Sequence, residues 1–156
     1  AIKAGLQGVP MTITLLGGPL PIFKRSIDAY RQSLKMKSYN PSDFPVATTG
    51  FFYAADDTKT ALRELYPYVD QGMKLANGTG YHKRLFANGA DMNDVMLVGS
   101  PQQIIEKMIY QYEELGHQRY LAQIDFGGMP FEKVMKNIEI IGTKILPEVK
   151  KYTKGK

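Results

Sequence analysis

The sequence predicts an α/β protein built from consecutive strand–helix units with parallel strands. Residues 11–16, 45–54 and 120–126 are apolar or β-branched runs too short to be helices. Each is followed by a segment whose apolar residues recur at helical spacing, and two of the three close on a glycine pair, Gly17-Gly18 and Gly127-Gly128. Strands alternating with helices of this length pair in parallel through right-handed crossovers.

The elements follow in chain order. Residues 1–8 read as the last turn of a helix with a glycine stop, leading straight into the first strand. A domain rarely begins at the end of a crossover helix, so an earlier part of the fold is expected to lie outside this sequence. The first full helix carries Phe23, Ile27, Tyr30 and Leu34 after the proline-rich stretch 19–21. The second carries Ala61, Leu62, Leu65, Tyr66, Val69 and Met73, with Asp56 or Asp57 placed to cap it. The third has the clearest start in the chain: Ser100 at the cap, Pro101 in the first turn and Gln103 two residues on, a capping box. Gly116 closes it. The fourth runs from Pro130 through Phe131, Val134, Ile138 and Ile145 and is expected to end near Pro147. Residues 77–97 break the rhythm and read as a partly helical insertion, of the kind that often faces substrate on α/β scaffolds.

Composition narrows the classes. With 44% hydrophobic and 22% charged residues, the 156-residue chain has ordinary globular composition. No apolar run approaches the ~18–20 residues that span a bilayer, and the first ten residues do not read as a signal peptide, so a cytoplasmic protein away from membranes is expected. The absence of cysteine excludes disulfides and thiolate metal sites, and two histidines argue against a dedicated transition-metal site. The net charge of +5 comes mostly from one place: residues 144–156 hold five lysines and a single acid, leaving +1 for the rest. A basic last turn complements the helix dipole, and no basic stripe interleaved with aromatics appears elsewhere, which argues against nucleic acid.

Parallel α/β architectures place chemistry at the C-terminal ends of the strands. Gly17 and Gly18, Tyr53 to Asp56, and Asp125 to Gly128 then fall on the active face, whereas His117 falls on the opposite one and reads as structural. His82, in the insertion beside Tyr81, Lys83 and Arg84, is the candidate proton-handling residue. A solvated loop histidine is the commoner case. Asp125 reads either as an acid aimed at a ligand or, more commonly, as the cap of the following helix. Gly127-Gly128 lets backbone approach a flat ligand or a phosphate, or is simply a tight turn that needs positive φ. Gly78-Thr79-Gly80 lacks a third glycine at the right spacing and follows a helix, so it is not a dinucleotide fingerprint.

The ordered series 98–103, 115–117, 123–130 and 131–135, with Ile138-Glu139 and 145–149 behind it, resembles the closing segment of bacterial luciferase-like flavin-dependent monooxygenases. Residues 8–18 and 23–31 resemble the strand and helix that precede it. The resemblance implies the C-terminal portion of a (β/α)8 barrel, about three parallel βα units plus the insertion at about 77–97, with the N-terminal units absent. It further implies a parent enzyme that uses reduced FMN, supplied by an NAD(P)H-dependent reductase, with O2 on a small organic substrate; some relatives use a deazaflavin. Gly17, Gly18, Phe126, Gly127 and Gly128 are the positions carried over as near the cofactor, and no catalytic residue is transferred. Strands cut from a barrel expose two edges and an inner face, so the isolated chain is expected to be inactive and to pair as a homodimer or swapped assembly. The alternatives are a non-catalytic α/β binding or assembly domain, and a barrel relative that has lost activity.

Overall fold

A computed structural model describes residues 1–154; Gly155 and Lys156, the last of the tail lysines, lie outside the described residues. Four strands, β1 (Met11–Leu15), β2 (Val46–Ala54), β3 (Leu97–Gly99) and β4 (Arg119–Gln123), form one sheet in which every strand pair is parallel. β1 pairs from Met11↔Val46 to Leu15↔Gly50, and β4 from Ala47↔Arg119 to Phe51↔Gln123. Because both use the same stretch of β2, they lie on opposite edges of it, and β2 is the central strand. β3 pairs further along, from Phe52↔Leu97 to Ala54↔Gly99.

β3 corrects the expected plan of three strands. The sequence reading ends the insertion at residue 97, yet Leu97 opens a strand. Three residues are too few to show a period of two, so only the partner strand reveals this one. The last strand also stops at Gln123 rather than at 126, because Ile124 to Gly128 have already turned away from the sheet.

Seven helices are described: α1 (Ile2–Leu6), α2 (Leu20–Met36), α3 (Thr58–Asn77), α4 (Lys83–Ala87), α5 (Pro101–Leu115), α6 (Phe131–Ile140) and α7 (Leu146–Thr153). The Asp57 carboxylate accepts from Thr60 N at 2.9 Å and sets the start of α3. Ser100 Oγ accepts from Gln103 N at 3.3 Å at the start of α5, which ends on Gly116 at φ 57°. Only half of the expected capping box forms, because Gln103 Nε2 donates away to Ala90 O at 2.8 Å. Nor does Pro147 end the fourth helix. A π-helical turn at Ile141–Ile145 leads into α7, and Pro147 sits in its first turn, where no backbone N–H is required.

Alternation along β2 divides the core. Phe52 and Ala54 point toward Ile104 and Ile105 of α5 and Ile145. Phe51 and Tyr53 point the other way, toward Ala61, Leu65 and Val69 of α3. Lower in the sheet, Leu15 and Val46 pack on Ile27, Tyr30 and Leu34 of α2. On the face shared with Phe51, this lower half has no helical cover: Thr12, Thr14, Arg119 and Leu121 are exposed there. Among the described residues, nothing pairs with the outer edge of β1 or of β4. The sheet therefore has one face fully clothed by helices, one half-bare, and two open margins.

Candidate active site at the strand ends

Since all four strands run parallel, their C-terminal ends share one rim, and both glycine turns expected from the sequence sit on it. At the exit of β1, Gly17 and Gly18 adopt φ of 137° and 101°, conformations that strain an L side chain. The turn is held from the other side of the chain. Asp94, buried ahead of β3, accepts from Gly18 N through Oδ2 at 2.8 Å and from Met96 N through Oδ1 at 2.9 Å. Val95 N donates to Gly18 O at 3.0 Å, and Leu20 N to Asn93 O at 2.9 Å, so residues 93–95 lie alongside 18–20 as a short strap. Tyr81 Oη donates to Leu16 O at 2.8 Å and occupies the space that a side chain at Gly17 would need. Burial, with the Asp94 charge adding to it, keeps that phenol well into its protonated form.

At the exit of β4, Phe126 packs edge-on against Phe51, with ring centroids 5.0 Å apart, and lies over Gly72 of α3. Gly127, at φ 71°, comes so close to the Tyr68 carbonyl that a Cβ would overlap it. Gly128 is open, with nothing within 4 Å of a would-be Cβ. Phe51 joins the two turns: its ring meets Phe126 on one side and Tyr81 on the other at 6.2 Å, and Tyr81 continues to Phe86 at 5.7 Å. The structure thus brings together turns 110 residues apart in the chain around one aromatic cluster.

A second group on the rim is polar. Glu64 Oε2 accepts from Tyr53 Oη at 2.7 Å and from Lys133 Nζ at 2.8 Å, and Lys133 also donates to Tyr53 Oη at 3.2 Å. The Lys133 ammonium and the Tyr53 hydroxyl hold the Glu64 carboxyl below its ordinary range, while burial and the Glu64 carboxylate push the Tyr53 phenol up. These groups border a cavity of about 280 Å³ that also meets Thr60 and Lys136. Tyr53 was legible as a strand end. Glu64 and Lys133 were not, because they stand 69 residues apart on two different helices.

The remaining candidates fall elsewhere. His82 is exposed at the start of α4, with its backbone carbonyl accepting from Phe86 N at 3.0 Å, and it lies outside the aromatic cluster. Asp125 is exposed and does not cap α6, whose first turn follows Pro130 without a side-chain cap. His117 is buried at the far end of the sheet, where burial and the nearby Arg31 charge push its imidazole down to about 4.

A flavin has two demands, an apolar wall for its ring and donors for its phosphate. The Phe126–Gly128 turn meets the first: an aromatic ring beside open backbone. The Gly17–Gly18 turn does not meet the second. Its Gly18 N–H is already given to Asp94, and the cavity of about 280 Å³ beside it is bordered by Asp91 and Asp94, which repel an anion.

Residues 2–119 match the family model for luciferase-like monooxygenases. The chain belongs to that family. The match stops before the Phe126 turn, but likeness to solved structures extends over nearly all of the chain. A monooxygenase of Streptomyces bottropensis superposes with a TM-score of 0.76 at 16% identity, covering 94% of this chain and 44% of its own. The oxygenating constituent of 3,6-diketocamphane monooxygenase from Pseudomonas putida, solved with FMN, gives 0.63 at 19% identity, covering 95% and 45%. The coenzyme F420-dependent tetrahydromethanopterin reductase of Methanopyrus kandleri gives 0.61 at 14% identity, covering 95% and 47%. The chain therefore spans a little under half the length of these structures and has the fold of a partial (β/α)8 barrel. No curated protein sequence matches it.

Proposed function

We propose that this chain forms one side of the active site of a flavin-dependent monooxygenase that acts on a small organic molecule. The observation that carries the reading is the convergence of the β1 and β4 exits on the Phe51–Tyr81–Phe126 cluster at the rim where α/β barrels do their chemistry. Reduced FMN, delivered by an NAD(P)H-dependent reductase, would supply the electrons that activate O2. The likeness to an F420-dependent enzyme keeps a deazaflavin as the alternative.

The chain's own residues have distinct tasks in this scheme. Phe126 and the open Gly128 backbone wall the ring. Tyr81 and Phe86 exclude water from the space behind it. The Glu64 carboxylate and Lys133 ammonium hold the Tyr53 hydroxyl in a fixed orientation on the rim. Phosphate contacts belong to parts of the barrel that residues 1–154 do not provide, and His82 serves substrate access at most. The same logic makes the chain alone inactive. Its half-bare sheet face and two open strand edges favour pairing with a second copy as a homodimer or swapped assembly.

FMN fluorescence quenching tests the reading in two proteins: this chain alone, and this chain joined to the N-terminal β/α units of the S. bottropensis monooxygenase, with circular dichroism confirming that each is folded. Quenching is expected only in the joined protein. Strong quenching by the chain alone would overturn the division of the site. A folded joined protein that binds neither FMN nor F420 would overturn the flavin assignment.

A further inference from the structure

Away from the strand ends, α3 and α4 enclose a groove of about 410 Å³, inside the range of roughly 300–1,000 Å³ typical of small-molecule sites. Its floor is apolar: Leu62 and Tyr66 from α3 and the buried Phe86 from α4, with Pro67 and Ala87 along the walls. The Tyr66 hydroxyl donates to Tyr81 O at 3.1 Å, so its polar end is engaged and the ring is what borders the groove.

Around this floor stand three cations, Lys59, Arg63 and Lys83, and no acid lines the groove with them. Among the described residues, none of the three has a carboxylate within ion-pair distance. Lys83 Nζ instead lies 5.9 Å above the centre of the Tyr66 ring. Pro67 adds a polar feature. It has no N–H to give to the carbonyl four residues earlier, so the Arg63 carbonyl loses its helical donor on the stretch of α3 that borders the groove.

We infer that this groove binds a free amphiphilic monoanion, a single hydrocarbon chain ending in one carboxylate. Its tail lies on Leu62, Tyr66 and Phe86, and its carboxylate sits between Arg63 and Lys83. A carboxylate matches the planar donor fork of Arg63, and a single chain suits a channel between two helices. Three cations without ion-pair partners beside an apolar floor attract this chemistry and disfavour a neutral or cationic tail of the same length. Phe86 is shared with the strand-end cluster, whereas Arg63, Lys83 and Ala87, the positions changed in the test, lie outside it.

The test is calorimetric titration of the folded chain with decanoate, decanol and decylamine below their micelle concentrations, repeated with Arg63→Glu, Lys83→Glu and the double variant. Arg63 and Lys83 are exposed, so the variants are expected to fold, and thermal melting without ligand verifies it. Decanoate is expected to bind at least tenfold more tightly than decanol, with decylamine weakest, and the double variant is expected to lose at least tenfold for decanoate alone. Equal binding of decanoate and decanol, or decanoate binding that survives both charge reversals, would overturn the inference. So would adsorption to anionic phospholipid vesicles without measurable decanoate binding, which would make the groove a membrane contact. Ala87→Trp fills the groove while leaving all three cations in the sequence. It is expected to abolish decanoate binding, and unchanged binding in this variant would place the ligand elsewhere.

Discussion

Replacing Asp94 with alanine tests whether the β1 exit turn is held by one carboxylate. The substitution removes the acceptor of two backbone donors that differ in burial. Met96 N–H lies among fully buried residues and has no route to water, so leaving it unmet costs about 1–3 kcal/mol. Gly18 is half-buried, and its N–H recovers part of its loss from solvent, which brings the expected total to about 2–4 kcal/mol. Lys107 makes matters worse. Its ammonium is buried on α5 against Gly89 O at 2.9 Å, and the Asp94 charge is the leading influence that favours its charged form. Urea denaturation measures the effect, with the slope against urea expected to stay constant because the unfolded state exposes the same surface. Amide exchange at Gly18 and Met96 is expected to accelerate ahead of that in β2. Asp94→Asn keeps one acceptor and turns an amide N–H toward the other donor, so it should fall between wild type and Asp94→Ala. A loss below about 0.5 kcal/mol in Asp94→Ala would refute the reasoning, since that is the scale of an ordinary surface change.

Three further outcomes are expected. Gly127→Ala should destabilise by more than about 2 kcal/mol, because left-handed strain adds to overlap with the Tyr68 carbonyl, whereas Gly128→Ala should cost only about 1 kcal/mol of strain; equal costs in thermal denaturation would contradict the close approach. His117 titrates near 4 when folded against 6.5 when unfolded, so the unfolded chain binds more protons between these values and stability falls as pH drops through that window, by about 3 kcal/mol at most. His117→Gln should flatten that part of the profile in urea titrations at stepped pH. Lys107, lowered to about 8 by burial, likewise binds fewer protons folded than unfolded between about 8 and 10.5, so stability rises with pH there by up to about 3 kcal/mol relative to Lys107→Met, measured as the difference between the two proteins.

The elements of this chain were legible wherever a local rule sufficed. Helix periods gave α2 and α3, whose buried Ile27, Tyr30, Leu34, Leu65 and Val69 are the residues that the spacing singles out. The Asp56-Asp57 pair and Ser100 announced two helix starts, with the structure choosing Asp57, and Gly116 announced a helix end, because a cap depends on residues within one turn. β3 escaped because three residues have no period, and Pro147 misled because proline is as acceptable in a first turn as it is disruptive later.

By itself, then, the sequence determined the parallel α/β plan, the family resemblance and the placing of both glycine turns at strand ends, since each depends on spacing along one chain. The tertiary structure alone decided what surrounds those turns. It put Asp94 against Gly18, Phe126 against Phe51, and Lys133 against Glu64, pairs separated by 76, 75 and 69 positions. Hydrogen bonds, ring contacts and ion pairs act through space over a few ångströms, so no pattern of neighbours along the chain encodes which distant residue will complete them.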